Sequence, residues 1–292
     1  MYLKISVFAL LAAVSISSCK KKENEVTCCD PEPGPNLVFK FHFDPNQERL
    51  DGFGNPSTVP ANHAAQSPDF NHMSAHYVEL FSSVATQIGE GEVLYTGPET
   101  MAGGYLALDF SQAVIKGEGG VFLQVPLSSI PAGTYPYLRI SLAYQNYDVQ
   151  YLFAGQEYSG TLASFIGYNT YITSFNINQE VVVVNDDKLQ GYWAFETMGN
   201  VSTGQAPPGA TTVVNPFFAT APIPAGSCLV SGTFSEPLEI TGNESENIVV
   251  NVSLSVNQSF EWEEVNADGK WEPTAGENVV DMGIRGMIPG WE

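Results

Sequence analysis

NIVVNVSLSVNQ, residues 247–258, decides the fold class, because its apolar and polar side chains alternate along the chain. The apolar side chains are those of Ile248, Val250, Val252, Leu254 and Val256, and the polar ones are those of Asn251, Ser253, Ser255 and Asn257. Successive side chains of a β-strand point to opposite faces. The stretch therefore predicts an antiparallel strand with one buried face and one face toward water.

The same alternation occurs in LVFKFHF, residues 37–43, where Leu37, Phe39, Phe41 and Phe43 share a face opposite Val38, Lys40 and His42. Further strand-like segments follow, separated by Gly, Pro, Asn and Asp; they include YLALDF, GVFLQVPL, YLRISLAY, TLASFIGY, YITSFNINQEVVVV and GYWAFET. FEWEEVNADGKWEP, residues 260–273, predicts a hairpin that turns at Asp268-Gly269.

No segment shows a helical apolar stripe longer than two turns, and the one candidate, HAAQSPDFNHMSAHY at 63–77, is interrupted by Pro68. The chain is therefore predicted to be all-β, as an antiparallel β-sandwich of jelly-roll or immunoglobulin-like type. Residues 37–292 form this domain, with a candidate internal boundary near 201–216, a stretch rich in Gly, Pro and Thr.

The first residues, MYLKISVFALLAAVSISSC, have a lysine near the start, a short apolar core and small residues before Cys19. This pattern predicts a secretory signal peptide at 1–18. Residues 16–19, ISSC, resemble the lipobox of bacterial lipoproteins, in which the cysteine receives a diacylglycerol. The apolar core of about ten residues is too short to span a bilayer, which needs about twenty. We therefore expect lipid on Cys19 to hold the protein to a membrane.

Residues 19–36 are charged and then rich in proline, without apolar periodicity, and are predicted to be a disordered, flexible tether. The run of lysines directly after Ser-Ser-Cys is similar to lipoproteins of Bacteroidota. The predicted location is the cell envelope, at the outer membrane, on its periplasmic or its surface face.

The chain has a formal net charge of −21. A basic surface for nucleic acid is therefore not expected. The acidity fits solubility or, alternatively, calcium binding. Two acidic sets resemble the start of a calcium loop, Asp44-x-Asn46-x-Glu48 and Glu264-x-Asn266-x-Asp268. The first has Arg49 where glycine is required and neither has an acid at position twelve, so Asx turns explain them better.

With Cys19 lipidated, three cysteines remain, namely Cys28, Cys29 and Cys228. An odd number cannot all pair, and their spacing matches no zinc pattern. A disulfide from Cys28 or Cys29 to Cys228 is possible outside the cytoplasm, and the sequence leaves open whether it forms.

All four histidines, His42, His63, His72 and His76, lie within residues 42–76. His72 and His76 are four apart, a spacing that aligns two side chains on a helix or on one face of a strand. Imidazole with the thioether of Met73 suits copper, and His42 and His63 would complete a site if their segments met. The alternative is that these histidines bind nothing.

Trp193, Trp262 and Trp271 are candidates for a glycan-stacking platform, although a sandwich core also requires aromatic residues. The chain has no Gly-x-Ser-x-Gly, no His-Glu-x-x-His and no phosphate-binding glycine loop. A non-enzymatic binding protein is therefore expected.

Six segments in order resemble the MbnP-like family; they are LVFKFHFD, SAHYVELF, VPLSSIPAGTYPYLRISLAY, GYWAFE, IVVNVSLSV and DMGIRGMIP. Members of that family are secreted or lipid-anchored β-sandwich proteins, some linked to copper handling and partnered with haem proteins. The resemblance implies that His42, His76 and Trp193 belong to the site.

Two functions are expected from the whole sequence. The first is an envelope lipoprotein that binds copper through its histidines and has another envelope protein as a partner. The second is a glycan-binding or adhesive surface module, with calcium as a candidate cofactor.

Overall fold

The computed structural model describes residues 34–50, 55–206 and 227–292. Within these ranges the chain forms nineteen strands and three short 3₁₀ helices, so the all-β prediction is confirmed. The strands are β1 (Asn36–Asp44), β2 (His63–Gln66), β3 (Asp69–Phe81), β4 (Glu92–Thr96), β5 (Glu99–Thr100), β6 (Ala107–Asp109), β7 (Ile115–Lys116), β8 (Val121–Pro126), β9 (Gly133–Phe153), β10 (Gln156–Phe165), β11 (Thr170–Asn176), β12 (Val181–Lys188), β13 (Tyr192–Thr197), β14 (Asn200–Gln205), β15 (Cys228–Ile240), β16 (Ile248–Ser255), β17 (Phe260–Glu263), β18 (Val279–Asp281) and β19 (Met287–Trp291). The 3₁₀ helices are Phe110–Gln112, Leu127–Ser129 and Pro273–Ala275. No helix in the described ranges has the length and apolar character that crossing a membrane requires.

The first sheet has the strand order β19-β16-β1-β8. β1 and β16 pair in parallel over eight residues, from Leu37 opposite Ile248 to Asp44 opposite Ser255. The alternation predicted for both segments is confirmed, since Phe39 and Phe41 face the core with Val250 and Val252. The prediction that the 247–258 strand is antiparallel holds for its pairing with β19 and is wrong for its pairing with β1.

The second sheet is organised by β9, a strand of 21 residues. Its strand order is β14-β13-β10-β9-β3-β4. Two further strands join this sheet, since β15 pairs with β9 and β7 pairs with β3. β3 follows β9 along one edge, whereas β15 pairs with the first half of the other edge and β10 with the second half.

The main core lies between the first sheet and the first half of the second sheet. Leu37, Phe39 and Phe41 of β1 and Val250 and Val252 of β16 pack with residues of β3, β9 and β15. The contacting residues of those three strands include Met73, Leu80, Leu138, Ile140, Leu142, Phe234 and Leu238. These two layers form the predicted sandwich.

The second half of the second sheet is covered on both faces. Ala163 of β10 packs against Ile172 and Phe175 of a small sheet with the order β12-β11-β6-β5. Leu162, the preceding residue, packs on the opposite face against Phe260 and Trp262 of a sheet with the order β18-β17-β2. The chain is therefore three layers thick at this end.

One local prediction is wrong. The predicted hairpin at Asp268-Gly269 is a longer connection, because β17 pairs with β18 and not with residues 270–273. The carboxylate of Glu277 fixes this connection by accepting hydrogen bonds from the backbone N–H groups of Val265, Asn266 and Glu272. The segment 63–77, whose helical pattern is interrupted by Pro68, forms β2 and β3.

The candidate boundary near 201–216 begins inside β14, which runs to Gln205, and residues 207–216 lie outside the described ranges.

A buried ion pair joins β3 to the first half of β9. Arg139 Nη1 donates to Glu79 Oε2 at 2.9 Å, and the guanidinium lies 4.1 Å from the centre of the Phe81 ring. Glu79 Oε1 accepts from the backbone N–H groups of Gly89 and Gly91. The carboxylate thus fixes the β3–β4 loop as well as the ion pair.

We expect Arg139→Met to lower the free energy of unfolding by about 3–5 kcal/mol, because it leaves the Glu79 carboxylate buried without a counter-charge. A Glu79→Gln/Arg139→Met double variant removes that charge, keeps an oxygen for Gly89 and Gly91, and is expected to be more stable than Arg139→Met alone. Urea unfolding followed by tryptophan fluorescence measures both. A double variant that is less stable than Arg139→Met would contradict this account.

Candidate functional site

His42 lies on the polar face of β1, as predicted, and both of its ring nitrogens have partners within the protein. Nδ1 lies 2.6 Å from Glu118 Oε1 and Nε2 lies 3.0 Å from Asn251 Oδ1. Glu118 also accepts a hydrogen bond from the Phe43 backbone N–H. His42 therefore connects β1 to β16 and to the loop before β8.

His63 belongs to a separate group of charges around the buried Glu261 of β17. His63 Nδ1 lies 2.5 Å from Glu261 Oε1, while the second carboxylate oxygen accepts from Arg49 and lies 3.5 Å from Arg285. The Glu261 carboxylate therefore contacts Arg49, Arg285 and His63, and Arg285 also pairs with Asp281.

His72 and His76 both lie on β3, but their environments differ. His72 is exposed, whereas His76 is 1% exposed. β3 shifts register against β9 between Phe70 and His72, between Ser74 and Ala75, and between Ala75 and Tyr77. Residues four apart on a strand are about 13 Å apart along it, so the spacing does not bring the two imidazoles together.

His76 lines a cavity of about 20 Å³, which has room for about one water molecule. Its Nε2 lies 3.3 Å from Glu99 Oε1 without a hydrogen bond, and that same oxygen accepts from the Tyr168 hydroxyl at 2.6 Å. Burial lowers the pKa of His76 below its ordinary value, and the Glu99 carboxylate opposes this shift only in part. His76 is therefore held as the neutral imidazole.

The histidines predicted to bind copper are not assembled into one site. In the described ranges, no group of three or more His, Cys, Asp or Glu side chains is placed to hold a metal ion. Met73, the predicted thioether ligand, is fully buried in the main core. β1 and β3 belong to different sheets, so His42 and His76 lack the neighbouring strands that the prediction required.

The predicted calcium segments serve as turns. Asp44 accepts a hydrogen bond from the Asn46 backbone N–H, and Glu264 accepts from the backbone N–H groups of Asp268 and Gly269. Asp268 in turn accepts from Lys270 N–H. These bonds agree with the interpretation of the two sets as turn-forming residues.

The three tryptophans of the predicted platform do not share an exposed surface. Trp262 is fully buried and Trp271 is 9% exposed, and both pack in the core beneath β17. They cannot offer a ring face to a glycan, since Tyr147, Phe260 and neighbouring side chains cover them. Trp193 is half-buried and lies across Gly204, where an added Cβ would come within 2.4 Å of its ring.

Cys228 begins β15 and is buried in the main core. Its predicted partners Cys28 and Cys29 lie outside the described ranges, as does Cys19, so the disulfide and the lipidation stay predictions.

An open polar cleft of about 260 Å³ lies on the second half of the second sheet. Asp148 of β9, Thr161 of β10 and Glu196 of β13 are opposite one another across three adjacent strands and form its floor. Asn178 and Gln179, from the β11–β12 turn, form one wall, and Thr197, Met198 and Gly199 of the β13–β14 hairpin form part of its rim.

Glu196 fixes the β11–β12 turn. Its carboxylate accepts hydrogen bonds from three successive backbone N–H groups, those of Asn178, Gln179 and Glu180, at 2.9–3.1 Å. The residue is buried, and these donors compensate for the lost hydration of its charge. Glu196 therefore builds the wall of the cleft.

Other polar groups of the cleft remain available to a ligand. Asp148 Oδ1 accepts from the Thr161 hydroxyl at 2.5 Å, and within the described ranges its other oxygen has no partner. The side chains of Ser159, Asn178 and Gln179 likewise make no hydrogen bond to another described residue. The cleft thus presents hydroxyl, amide and carboxylate groups together.

Sequence reasoning missed this cleft. Its residues come from three separate strands and two turns, and none of them belongs to a recognised motif. The only local signal is Met198-Gly199, whose two positive φ angles of 48° and 69° form a tight hairpin turn.

Searches against protein-family models, curated proteins and solved structures found no significant match to this chain. The resemblance to the MbnP-like family therefore stays a prediction.

We expect His76→Gln to flatten the pH dependence of stability below about pH 6.5. Because the pKa of His76 is lowered by folding, the unfolded chain binds a proton that the folded chain does not once the pH falls below about 6.5. As the pH falls further, the free energy of unfolding of the wild-type protein decreases by up to about 1.4 kcal/mol per pH unit relative to that of the variant.

Urea unfolding at several pH values gives the slope of the free energy of unfolding against pH. This slope is compared between the two proteins, so a constant loss of stability caused by the substitution, as measured at pH 8, does not affect the comparison. His72→Gln, which changes an exposed histidine on the same strand, is the control and should keep the wild-type slope. A His76→Gln slope equal to that of the wild type would show that His76 is not the group responsible.

Proposed function

We propose that this protein is a lipid-anchored lipoprotein of the cell envelope whose β-sandwich body binds a glycan without chemical conversion. The observation that carries the proposal is the polar cleft at Asp148, Thr161 and Gln179, where several hydrogen-bonding groups have no partner among the described residues. Sugars carry several hydroxyl groups in fixed directions, and a cleft with both donors and acceptors suits them.

The geometry favours this function over copper binding. His42 and His63 are engaged with carboxylates, and the described residues include no group of three or more His, Cys, Asp or Glu side chains placed to hold a metal ion. Since no aromatic ring of a described residue lines the cleft, recognition rests on hydrogen bonds and on shape. Such sites bind single sugars weakly, and repeated sugar units or a membrane-bound array of the protein would strengthen attachment.

The test is a glycan array probed with the full-length mature protein, purified in detergent, beside two double variants. Asn178→Ala/Gln179→Ala removes two side chains of the cleft and is expected to reduce binding at least about tenfold, the effect of losing hydrogen bonds worth about 1.4 kcal/mol. Ser174→Ala/Asn176→Ala alters exposed residues of β11 outside the cleft and should leave binding unchanged.

If the wild-type protein binds none of the glycans on the array, the proposal is contradicted. So would stoichiometric copper in the wild-type protein that disappears in His42→Ala/His76→Ala, which would restore the metal-binding alternative.

The anchor is tested separately by Cys19→Ala. Because the proposed diacylglycerol attaches to this thiol, the variant should no longer incorporate radiolabelled palmitate and should leave the membrane fraction. A Ser18→Ala variant keeps the thiol and a small residue before it, and should retain the label. Equal palmitate incorporation in wild type and Cys19→Ala would show that Cys19 is not lipidated.

A further inference from the structure

The two carboxylates on the floor of the cleft differ in how their charges are compensated. Glu196 accepts four hydrogen-bond contacts from three backbone N–H groups and is saturated. Asp148 accepts one hydrogen bond, from a neutral hydroxyl, and makes no ion pair with any described residue. The uncompensated negative charge of the cleft therefore lies at Asp148.

Among the described residues, no basic side chain lines the cleft. Every residue that lines it is neutral or acidic, and Asp148 is half-buried, so water screens its charge less than that of an exposed carboxylate. A carboxylate in such surroundings favours a ligand that brings a positive charge and N–H donors.

The groups that line the cleft suit an organic cation better than a metal ion. A divalent ion requires several oxygen ligands at 2.0–2.6 Å. The Glu196 oxygens are already engaged, and no metal-binding group of three acids exists in the described ranges. An ammonium group needs only one carboxylate oxygen and a few neutral acceptors, which Asp148, Ser159 and Gln179 supply.

We infer that the cleft selects a hydroxylated primary amine, of the amino-sugar class, and that Asp148 is the residue that receives its ammonium group. The hydroxyl groups of the ligand then face the side chains of Asn178 and Gln179. This inference rests on the proposed function, because it specifies which sugars the same cleft prefers.

The test is titration calorimetry of the full-length mature protein with three probes of similar size, namely glucosamine, N-acetylglucosamine and glucose, at pH 6.5. The amine of the first is protonated, the second carries a neutral amide and the third a hydroxyl. The wild-type protein is expected to bind glucosamine at least about tenfold more tightly than the other two, the range of one charge-assisted hydrogen bond.

Asp148→Asn keeps an oxygen for the Thr161 hydroxyl and removes the charge, so it should reduce this preference to about one. Glu180→Gln is the matched control, since it removes an exposed acid on the same turn as Gln179 and should keep the preference. Equal affinities for the three probes in the wild type, or a preference that survives Asp148→Asn, would overturn the inference and leave glycan binding intact.

Two further outcomes are distinguishable. If none of the probes binds and the array is also negative, both the inference and the proposed function fail. If calcium chloride binds stoichiometrically and Asp148→Asn abolishes it, Asp148 serves a metal ion and the amine inference fails alone.

Discussion

Pairing along both edges of β9 is the interaction on which the rest of the structure depends. Fully extended, its 21 residues would span about 70 Å, and the right-handed twist of strands over such a length requires the sheet to curl. Its first half supports the main core, and its second half has a small sheet on each face. The ion pair at Arg139 and the cleft at Asp148 both lie on this strand, so displacement of β9 would disturb them together.

The shortage of basic residues explains how the buried acids are satisfied. The chain has 11 Lys and Arg against 32 Asp and Glu, so ion pairs cannot serve every carboxylate. Glu196 and Glu277 are instead satisfied by backbone N–H groups, and Glu79 by two N–H groups together with Arg139. This solution also orders loops, since each carboxylate gathers several residues of a turn. Among the described residues, Asp148 has neither an ion-pair partner nor a backbone N–H donor.

The sequence predicted the features that depend on neighbouring residues. Alternation in LVFKFHF and in NIVVNVSLSVNQ correctly gave the buried and polar faces of β1 and β16, because side-chain direction along a strand is local. Their parallel pairing was not predictable, since it joins segments more than 200 residues apart. The burial of Trp262 and the role of Glu196 depend likewise on segments that meet only in the folded chain.

The overall charge of −21 does not by itself give the cleft a preference for cations. At physiological ionic strength the Debye length is about 8 Å, so exposed acids beyond that distance contribute mainly to solubility and to the approach of a ligand. Selectivity must therefore come from a charge inside the cleft, where water is partly excluded and the backbone is fixed. Glu196 supplies the fixed wall, because its hydrogen bonds hold residues 178–180 in place, and Asp148 supplies the charge. The two carboxylates therefore differ in how their charges are compensated. This difference arises because the N–H groups of the β11–β12 turn point to Glu196 and not to Asp148.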